Sequence, residues 1–343
     1  MPRPSQFKRI VLNSRPEGDI EPDTFRTEIV PFSSLKLGNN EVLVQCTWLS
    51  LDPAMRGYIR DVRSYLPPVQ IGEVMRAMGL GVVIEVGPGS RFKVGDNVSG
   101  PWGMTEFAVI KDKFVDKLVI PRGVEPLDYL GILGSSGLTA YFGLKKIGEL
   151  KAGEKLVVSG AAGSVGSIAC QLGKAAGAKV YAIAGSDDKC RWLENELGVI
   201  KAFNYKSPTF YNDLKKDVGY LDVYFDNVGG EILDFLLTRL NKDARIVLCD
   251  APKPKGLQSY LNLISQRAKI QGFIVMDYAS EYPTAIEELG KDLASGAIKR
   301  KFHIVEGGIE QAPVALPMLF SGGNTGKLVV KVSDAPTVAN SKL

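Results

Sequence analysis

The sequence predicts an α/β fold, a doubly wound parallel sheet joined to a second, β-rich unit. Three observations predict it. Residues 156–189 read strand, glycine turn, helix, strand. Beyond them, strand-like and helix-like segments keep alternating to about residue 293. Before residue 125 the pattern is different: short strands between turn residues, with no strand-helix-strand unit.

The first observation carries the most chemistry. The stretch LVVSGAAGSVGSIACQLGKAAGAKVYAIAGSDDK places Gly160, Gly163 and Gly166 at three-residue intervals, directly after an apolar run. A dinucleotide pyrophosphate needs such a turn. Gly160 and Gly163 let backbone amides come close with no Cβ in the way, and Gly166 lets the helix pack against the strand. The helix N-terminus then offers unpaired amides and a positive dipole end. The same stretch without a nucleotide would be a plain strand-to-helix turn.

The second strand of this unit decides which dinucleotide fits. A chain built for NAD places Asp or Glu about 20 residues past the glycines, where it holds the ribose 2′-hydroxyl. Here Gly185 or Ser186 stands at that point, Asp187 and Asp188 come late, and Lys189 follows. A missing carboxylate beside a cation suits a 2′-phosphate, so NADPH is the expected cofactor. The competing reading makes Lys189 a solvated helix residue.

Composition narrows the rest. A length of 343 residues suggests two domains, and 45% hydrophobic with 23% charged residues supplies an ordinary globular core. A net charge of +4, with basic residues scattered along the chain, gives no case for nucleic acid or a membrane as partner. The four cysteines, Cys46, Cys170, Cys190 and Cys249, lack metal-ligand spacing and read as reduced thiols of a cytoplasmic protein. The first residues, MPRPSQFKRIVLNSRPEGD, contain no apolar core for a signal peptide, and no apolar run approaches the ~20 residues of a membrane span. His303 is the single histidine, so neither a histidine-based zinc site nor a hydrolase triad is expected, and no metal is expected.

Along the chain, strands are expected at residues 41–47, 80–86 and 107–110 in the β-rich part, with a tight turn, Val94-Gly95-Asp96, within 93–98. In the second part they are expected at 156–158, 180–184, 199–204, 221–226, 244–249 and 270–275, with helices at 209–216 and 232–240 and near 285–293. Six strands alternating with helices imply a Rossmann-type sheet with right-handed crossovers. GKLVVKV, residues 326–332, reads as a strand that returns to the β-rich unit. The domains are therefore expected at 1–127 with 302–343, and at 128–301.

With these residues in hand, the chain resembles the medium-chain dehydrogenase/reductase superfamily. It is most similar to the zinc-independent branch of alkenal double-bond reductases, prostaglandin and leukotriene reductases, and curcumin reductases. The resemblance covers nearly the whole length and rests on WLSLDPAMRGYIRD (48–61), RSYLPPVQIGEVMRA (63–77), GSSGLTAYFGL (134–144), SGAAGSVGS (159–167), AGSDDK (184–189), FNYK (203–206), FDNVGG (225–230) and GGNTGK (322–327). It implies a GroES-like fold for the β-rich domain. It also implies roles by position: Gly163, Ser164, Val165 and Gly166 hold the pyrophosphate, and Lys189 and Tyr205 contact the 2′-phosphate. Asn227 lies at the cofactor ribose region, Cys249 matches a cofactor-binding position, Phe273 and Ile274 lie on the nicotinamide side, and Asn324 reaches the cofactor from the returning segment. Read without the family, Tyr205 is equally a strand-end packing residue and Asn227 a turn former.

One departure stands out. The family usually carries a Cys-Gly-x-Ile-Ser-x-Tyr-Asn element after the fifth strand. Here Cys249 is followed by DAPKPKGL, about six residues shorter than that pattern and lacking its tyrosine. Tyr260 is no clear replacement. The resemblance implies NADPH-dependent hydride transfer to the β-carbon of an α,β-unsaturated aldehyde or ketone, by a homodimer. The developing enolate oxygen needs a hydrogen-bond donor, for which a cofactor ribose hydroxyl, Tyr65 and water are the candidates, Tyr65 of RSYLPP being the protein's own. The alternative for Tyr65 is a packed aromatic in a Pro-rich turn. The alternative functions are a quinone reductase of the same superfamily and an NADPH-binding protein with little catalysis.

Overall fold

A computed structural model describes residues 3–249 and 256–336 of the chain. The chain divides into two compact units, one of residues 1–121, 125–130 and 302–343, the other of 122–124 and 131–301.

The first unit is built on strands β1 (Gln6–Leu12), β2 (Phe25–Pro31), β3 (Glu41–Ser50), β4 (Gly79–Val86), β5 (Asn97–Gly100), β6 (Phe107–Lys111), β7 (Asp116–Lys117), β14 (Phe302–Val305) and β15 (Lys327–Lys331). It also carries three short helices, α1 (Met55–Tyr58), α9 (Gln311–Ala315) and α10 (Met318–Ser321). β3 is the spine: β15, β4 and β6 all pair with it antiparallel. Val42, Val44, Cys46 and Leu49 of β3 meet Val83, Val98, Met104, Leu328 and Val330 in one buried core. β1 and β2 form a separate antiparallel ribbon. The sequence reading has no strand before residue 41, because both ribbon strands interleave charges with their apolar residues and β2 exposes most of its length.

The second unit holds β8 (Lys155–Val158), β9 (Lys179–Ala184), β10 (Lys201–Asn204), β11 (Leu221–Asp226), β12 (Leu240–Leu248) and β13 (Lys269–Gly272). Its helices are α2 (Ser135–Phe142), α3 (Ser164–Ala175), α4 (Asp187–Asn195), α5 (Phe210–Asp217), α6 (Gly230–Leu237), α7 (Asn262–Gln266) and α8 (Tyr282–Ala294). The six strands form one parallel sheet in the order β10-β9-β8-β11-β12-β13, the doubly wound arrangement with its reversal between β8 and β11. Both faces are covered, as parallel sheets require. Val157, Tyr181, Ile183, Tyr224 and Ile246 pack with Phe210, Leu214, Ile232 and Leu236 of α5 and α6. The alternate residues Leu156, Val158, Val180, Ala182, Phe225 and Val247 are buried on the other face.

Several boundaries differ from the sequence reading, among them three in the second unit. Leu240 begins β12 rather than closing a helix, and Asp243 adopts a left-handed φ of 63° inside that strand. The last strand ends at Gly272, and the chain turns into a 3₁₀ segment from Val275. The third strand begins at Lys201, not at residue 199. Among the described residues no helix is long and apolar enough to cross a membrane.

Candidate active site

In a parallel sheet every strand ends at the same edge. The turns that follow β10, β9, β8, β11, β12 and β13 therefore carry Tyr205, Gly185, the glycine turn, Asn227, Cys249 and Phe273 along one rim of the second unit. Ligands of doubly wound sheets bind at this carboxyl rim, at the reversal. Here that is the junction of Gly160 and Asn227, where a Cβ built on Gly160 would lie 3.3 Å from the Asn227 Cβ.

The glycine turn divides its work among its residues. Gly160 has φ +56°, a left-handed conformation costly for most side chains. Gly163 caps α3, and its carbonyl accepts the first helical bond, from Ser167 N at 3.0 Å. The amides of Ser164, Val165 and Gly166 are thus the open N-terminal donors of α3. Gly166 has a different steric role from the expected one. Its Cβ would stand 2.4 Å from the Gly160 carbonyl oxygen and 2.7 Å from the Ala161 Cα, so it lets the helix pack on the turn itself rather than on the strand.

Behind the turn lies a buried polar knot. Asp226, fully buried, accepts on Oδ1 from Ser159 Oγ (2.9 Å), Tyr224 OH (2.7 Å), Val228 N (3.1 Å) and Gly229 N (2.9 Å). Ser159 Oγ in turn accepts from Asn227 N at 2.9 Å, and the Asn227 amide donates to Ser159 O at 2.8 Å. Burial, with the Asp226 charge beside it, pushes the Tyr224 phenol above its ordinary range. The knot ties the ends of β8 and β11 together. Asn227 is thus a structural tie whatever else it contacts, and nothing in its spacing announces Ser159 as its partner.

At the end of β9 the acid-free position has a steric reason. A Cβ on Gly185 would stand 3.0 Å from Tyr205 Cε1 and 3.2 Å from its hydroxyl. The late acids are engaged elsewhere: Asp187 accepts from Asn204 Nδ2 at 2.8 Å, and Asp188 pairs with Arg191. Both sit in the first turn of α4, where carboxylates suit the helix dipole. Ser186 caps that helix by accepting from Lys189 N at 3.4 Å. Burial and the nearby Lys206 cation hold the Lys189 ammonium below the usual lysine range. Lys206 also lies over the Tyr205 ring, 5.9 Å from its centroid. It belongs to the FNYK motif, yet spacing alone assigns it no role.

These features fit a dinucleotide phosphate. The Ser164 hydroxyl at the start of α3 is buried and without a hydrogen-bond partner. Lys189 and Lys206 repel one another at the end of β9, so an anion there is favoured. Further along the rim, Cys249 N donates to Asp226 O at 2.9 Å, which places the residue beside the knot. Phe273 and Ile274 follow the last strand rather than ending it. Phe273 packs with Leu138, Phe142 and Ala285, and Ile274 accepts from Asp277 N at 3.1 Å. The segment 250–255, where the family's tyrosine element is missing, lies outside the described residues.

Two expected residues belong to the first unit. Asn324 is buried and donates to Gly326 O at 3.0 Å. Tyr65 is 46% exposed, and its hydroxyl lies 3.3 Å from that of Tyr58. Among the described residues no three His, Cys, Asp or Glu side chains gather as they would to hold a metal ion.

A doubly wound sheet with this turn, in one chain with a β-rich unit, is the architecture of the dinucleotide-dependent oxidoreductases. Family models agree: residues 8–118 match the N-terminal domain of oxidoreductase, and residues 164–291 match a zinc-binding dehydrogenase model. A Bacillus subtilis (strain 168) protein that carries the name of an NADP-dependent oxidoreductase, YfmJ, is 40% identical, covering 95% of this chain and 98% of its own. The NADPH-dependent curcumin reductase of Escherichia coli (strain K12) is 35% identical over 95% of this chain and 97% of its own. The crystal structure of CurA from Vibrio vulnificus in complex with NADPH superposes with a TM-score of 0.88 at 35% identity, covering 95% of this chain and 99% of that one. The chain belongs to the zinc-independent medium-chain dehydrogenase/reductase family, in the branch of curcumin, alkenal and prostaglandin reductases.

Proposed function

We propose that this chain binds NADPH and reduces the carbon-carbon double bond of α,β-unsaturated ketones and aldehydes. The observation that carries the cofactor choice is the rim at Gly185: no acid, a tyrosine in its place, and two lysines in mutual repulsion. The substrate class is supported by the likeness to a curcumin reductase, curcumin being a conjugated enone.

The open amides of Ser164, Val165 and Gly166 would hold the pyrophosphate, Lys189, Tyr205 and Lys206 the 2′-phosphate, and Asn227, Cys249, Phe273, Ile274 and Asn324 the remainder. When bound, NADPH supplies the hydride that adds to the β-carbon of the enone. The chain's own task is to orient and to stabilise charge. As negative charge gathers on the carbonyl oxygen, the Tyr65 hydroxyl donates a hydrogen bond to it, an interaction that such sites use to lower barriers by a few kcal/mol. The α-carbon of the resulting enolate then takes a proton from solvent water, which leaves hydroxide for the buffer to neutralise, to give the saturated carbonyl.

A second copy of the chain is the partner in this reading. β13 is an edge strand, and exposed Leu261, Ile264 and Met276 lie in the segments on either side of it. Sedimentation at micromolar concentration tests that point. The function is tested by following NADPH oxidation against a panel of enones, alkenals and a quinone. Saturated product from the enones supports the reading, turnover of the quinone alone assigns the chain to quinone reduction, and NADPH binding without any turnover assigns it to cofactor binding.

A further inference from the structure

Tyr58 ends helix α1, and its ring packs on the core of the first unit. The Arg76 guanidinium lies over the same ring, 5.0 Å from the centroid. Tyr65 meets Tyr58 edge to face, with ring centroids 6.3 Å apart and planes at 72°. The loop that carries Tyr65 is tied down at both ends. Val69 N donates to Tyr58 O at 2.8 Å, and Arg15 bridges the carbonyls of Ile59 (2.8 Å) and Val69 (2.9 Å). Arg76 also donates to Pro67 O at 3.2 Å. Tyr65 itself is exposed, so its only side-chain hydrogen bond among the described residues is the one to Tyr58.

We propose that Tyr58 is the positioning residue for Tyr65: its hydroxyl, held by core packing and by Arg76, aims the Tyr65 hydroxyl at the substrate carbonyl and donates to it during reduction. As observed, Tyr65 OH donates to Tyr58 OH at 3.3 Å. Hydroxyl protons rotate freely between partners, so turning both reverses the chain of bonds. Tyr58 then donates to Tyr65, and Tyr65 donates to the carbonyl oxygen. Each bond in such a chain polarises the next, which makes Tyr65 a better donor than a lone phenol. Tyr58 stays protonated for this task, because burial and the Tyr65 hydroxyl raise its phenol well above the usual range, with Asp52 acting in the same sense and Arg76 against it. No covalent step is involved, and neither tyrosine loses its proton.

This inference rests on the enone-reductase reading. Its test uses the full chain with NADPH and trans-3-nonen-2-one, comparing wild type, Tyr58→Phe, Tyr65→Phe and the double variant. Tyr58→Phe keeps the ring and removes only the hydroxyl. It is expected to lower kcat about three- to tenfold with KM for the enone within about twofold, as for loss of one hydrogen bond made in the transition state. The double variant is expected to match Tyr65→Phe, because Tyr58 acts only through Tyr65. Tyr58→His, which retains a donor, should recover part of the kcat and covers the case in which the Phe variant folds poorly. Wild-type kcat in Tyr58→Phe and Tyr58→His alike, or a double variant whose loss is the product of the single ones, overturns the inference while leaving enone reduction intact. No turnover by the wild type overturns the functional reading instead.

Discussion

The phenol ring of Tyr205 fills the space a side chain at residue 185 would occupy, 3.0 Å from an ideal Cβ built on Gly185. Two features that look separate in the sequence, the missing ribose-binding acid and a tyrosine 20 residues later, are therefore one steric arrangement. Gly185→Asp should not convert the protein to NADH. The new side chain must push aside the ring of Tyr205, which is 44% exposed and so yields at a cost of about 1 kcal/mol, at the low end for overpacking. The expected outcome is a KM for NADPH raised at least about tenfold with no gain in NADH turnover. Adding Tyr205→Ala should restore the thermal midpoint. Steady-state kinetics with both cofactors check the first part, and thermal melting checks the second.

Lys189 sets a pH signature. Its ammonium lies below the ordinary value of 10.5, first through burial and then through Lys206. The charged form is thus disfavoured in the free protein and favoured once a 2′-phosphate arrives. Binding of NADP⁺ must therefore raise the Lys189 pKa and take up protons at alkaline pH, in the window just below 10.5. Affinity should fall as pH climbs through that window. Calorimetry in buffers of different ionisation heat should show the uptake in wild type and not in Lys189→Met, whose NADP⁺ affinity should drop about ten- to a hundredfold. Equal proton uptake in both proteins would remove Lys189 from the phosphate site.

Gly166 tests the turn. An alanine Cβ there meets backbone on two sides, the Gly160 carbonyl at 2.4 Å and the Ala161 Cα at 2.7 Å, and neither can step aside like a side chain. Gly166→Ala should cost about 1–3 kcal/mol of stability and weaken NADPH binding more than Gly153→Ala does. Gly153 has open space around its Cβ, although its φ of +83° keeps some backbone strain. Urea unfolding and cofactor titration of both variants make the comparison.

Thiol chemistry reports on Cys249. Burial holds the Cys46 thiol up at about 12 and, with acidic neighbours, the Cys190 thiol at about 11, while Cys170 is buried and raised further. At mildly alkaline pH all three stay almost fully protonated and slow to react. Cys249, partly exposed on the rim, should be the first to be labelled by a disulfide reagent, and NADP⁺ should protect it. Mass spectrometry of labelled peptides identifies the site, and fast labelling of Cys46 or Cys170 instead would argue against this packing.

The parallel sheet is legible in the sequence because its inner strands β9, β8 and β11 are buried on both faces and so read as short apolar runs. The β1–β2 ribbon is not, since charges such as Lys8, Arg9, Arg26 and Glu28 break its alternation. Leu240 reads as part of the preceding helix because Asn241, Lys242 and Asp243 read as a stop, whereas the chain passes through them with Asp243 left-handed. The rim positions are legible because the expected strand ends all fall on one edge. Their partners are not. Ser159 holds Asn227 from 68 residues away, and the Tyr58–Tyr65 contact depends on how one loop folds back on α1. Such contacts leave no local spacing for a sequence to display.

The most direct test of enone reduction is the fate of the hydride. The protein would be given NADPH deuterated at the transferred position and trans-3-nonen-2-one, and the product examined by mass spectrometry and NMR. The saturated ketone carrying one deuterium on the β-carbon is the expected product, formed one for one with NADP⁺. Deuterium on the carbonyl carbon of an allylic alcohol, or no consumption of NADPH, would overturn it.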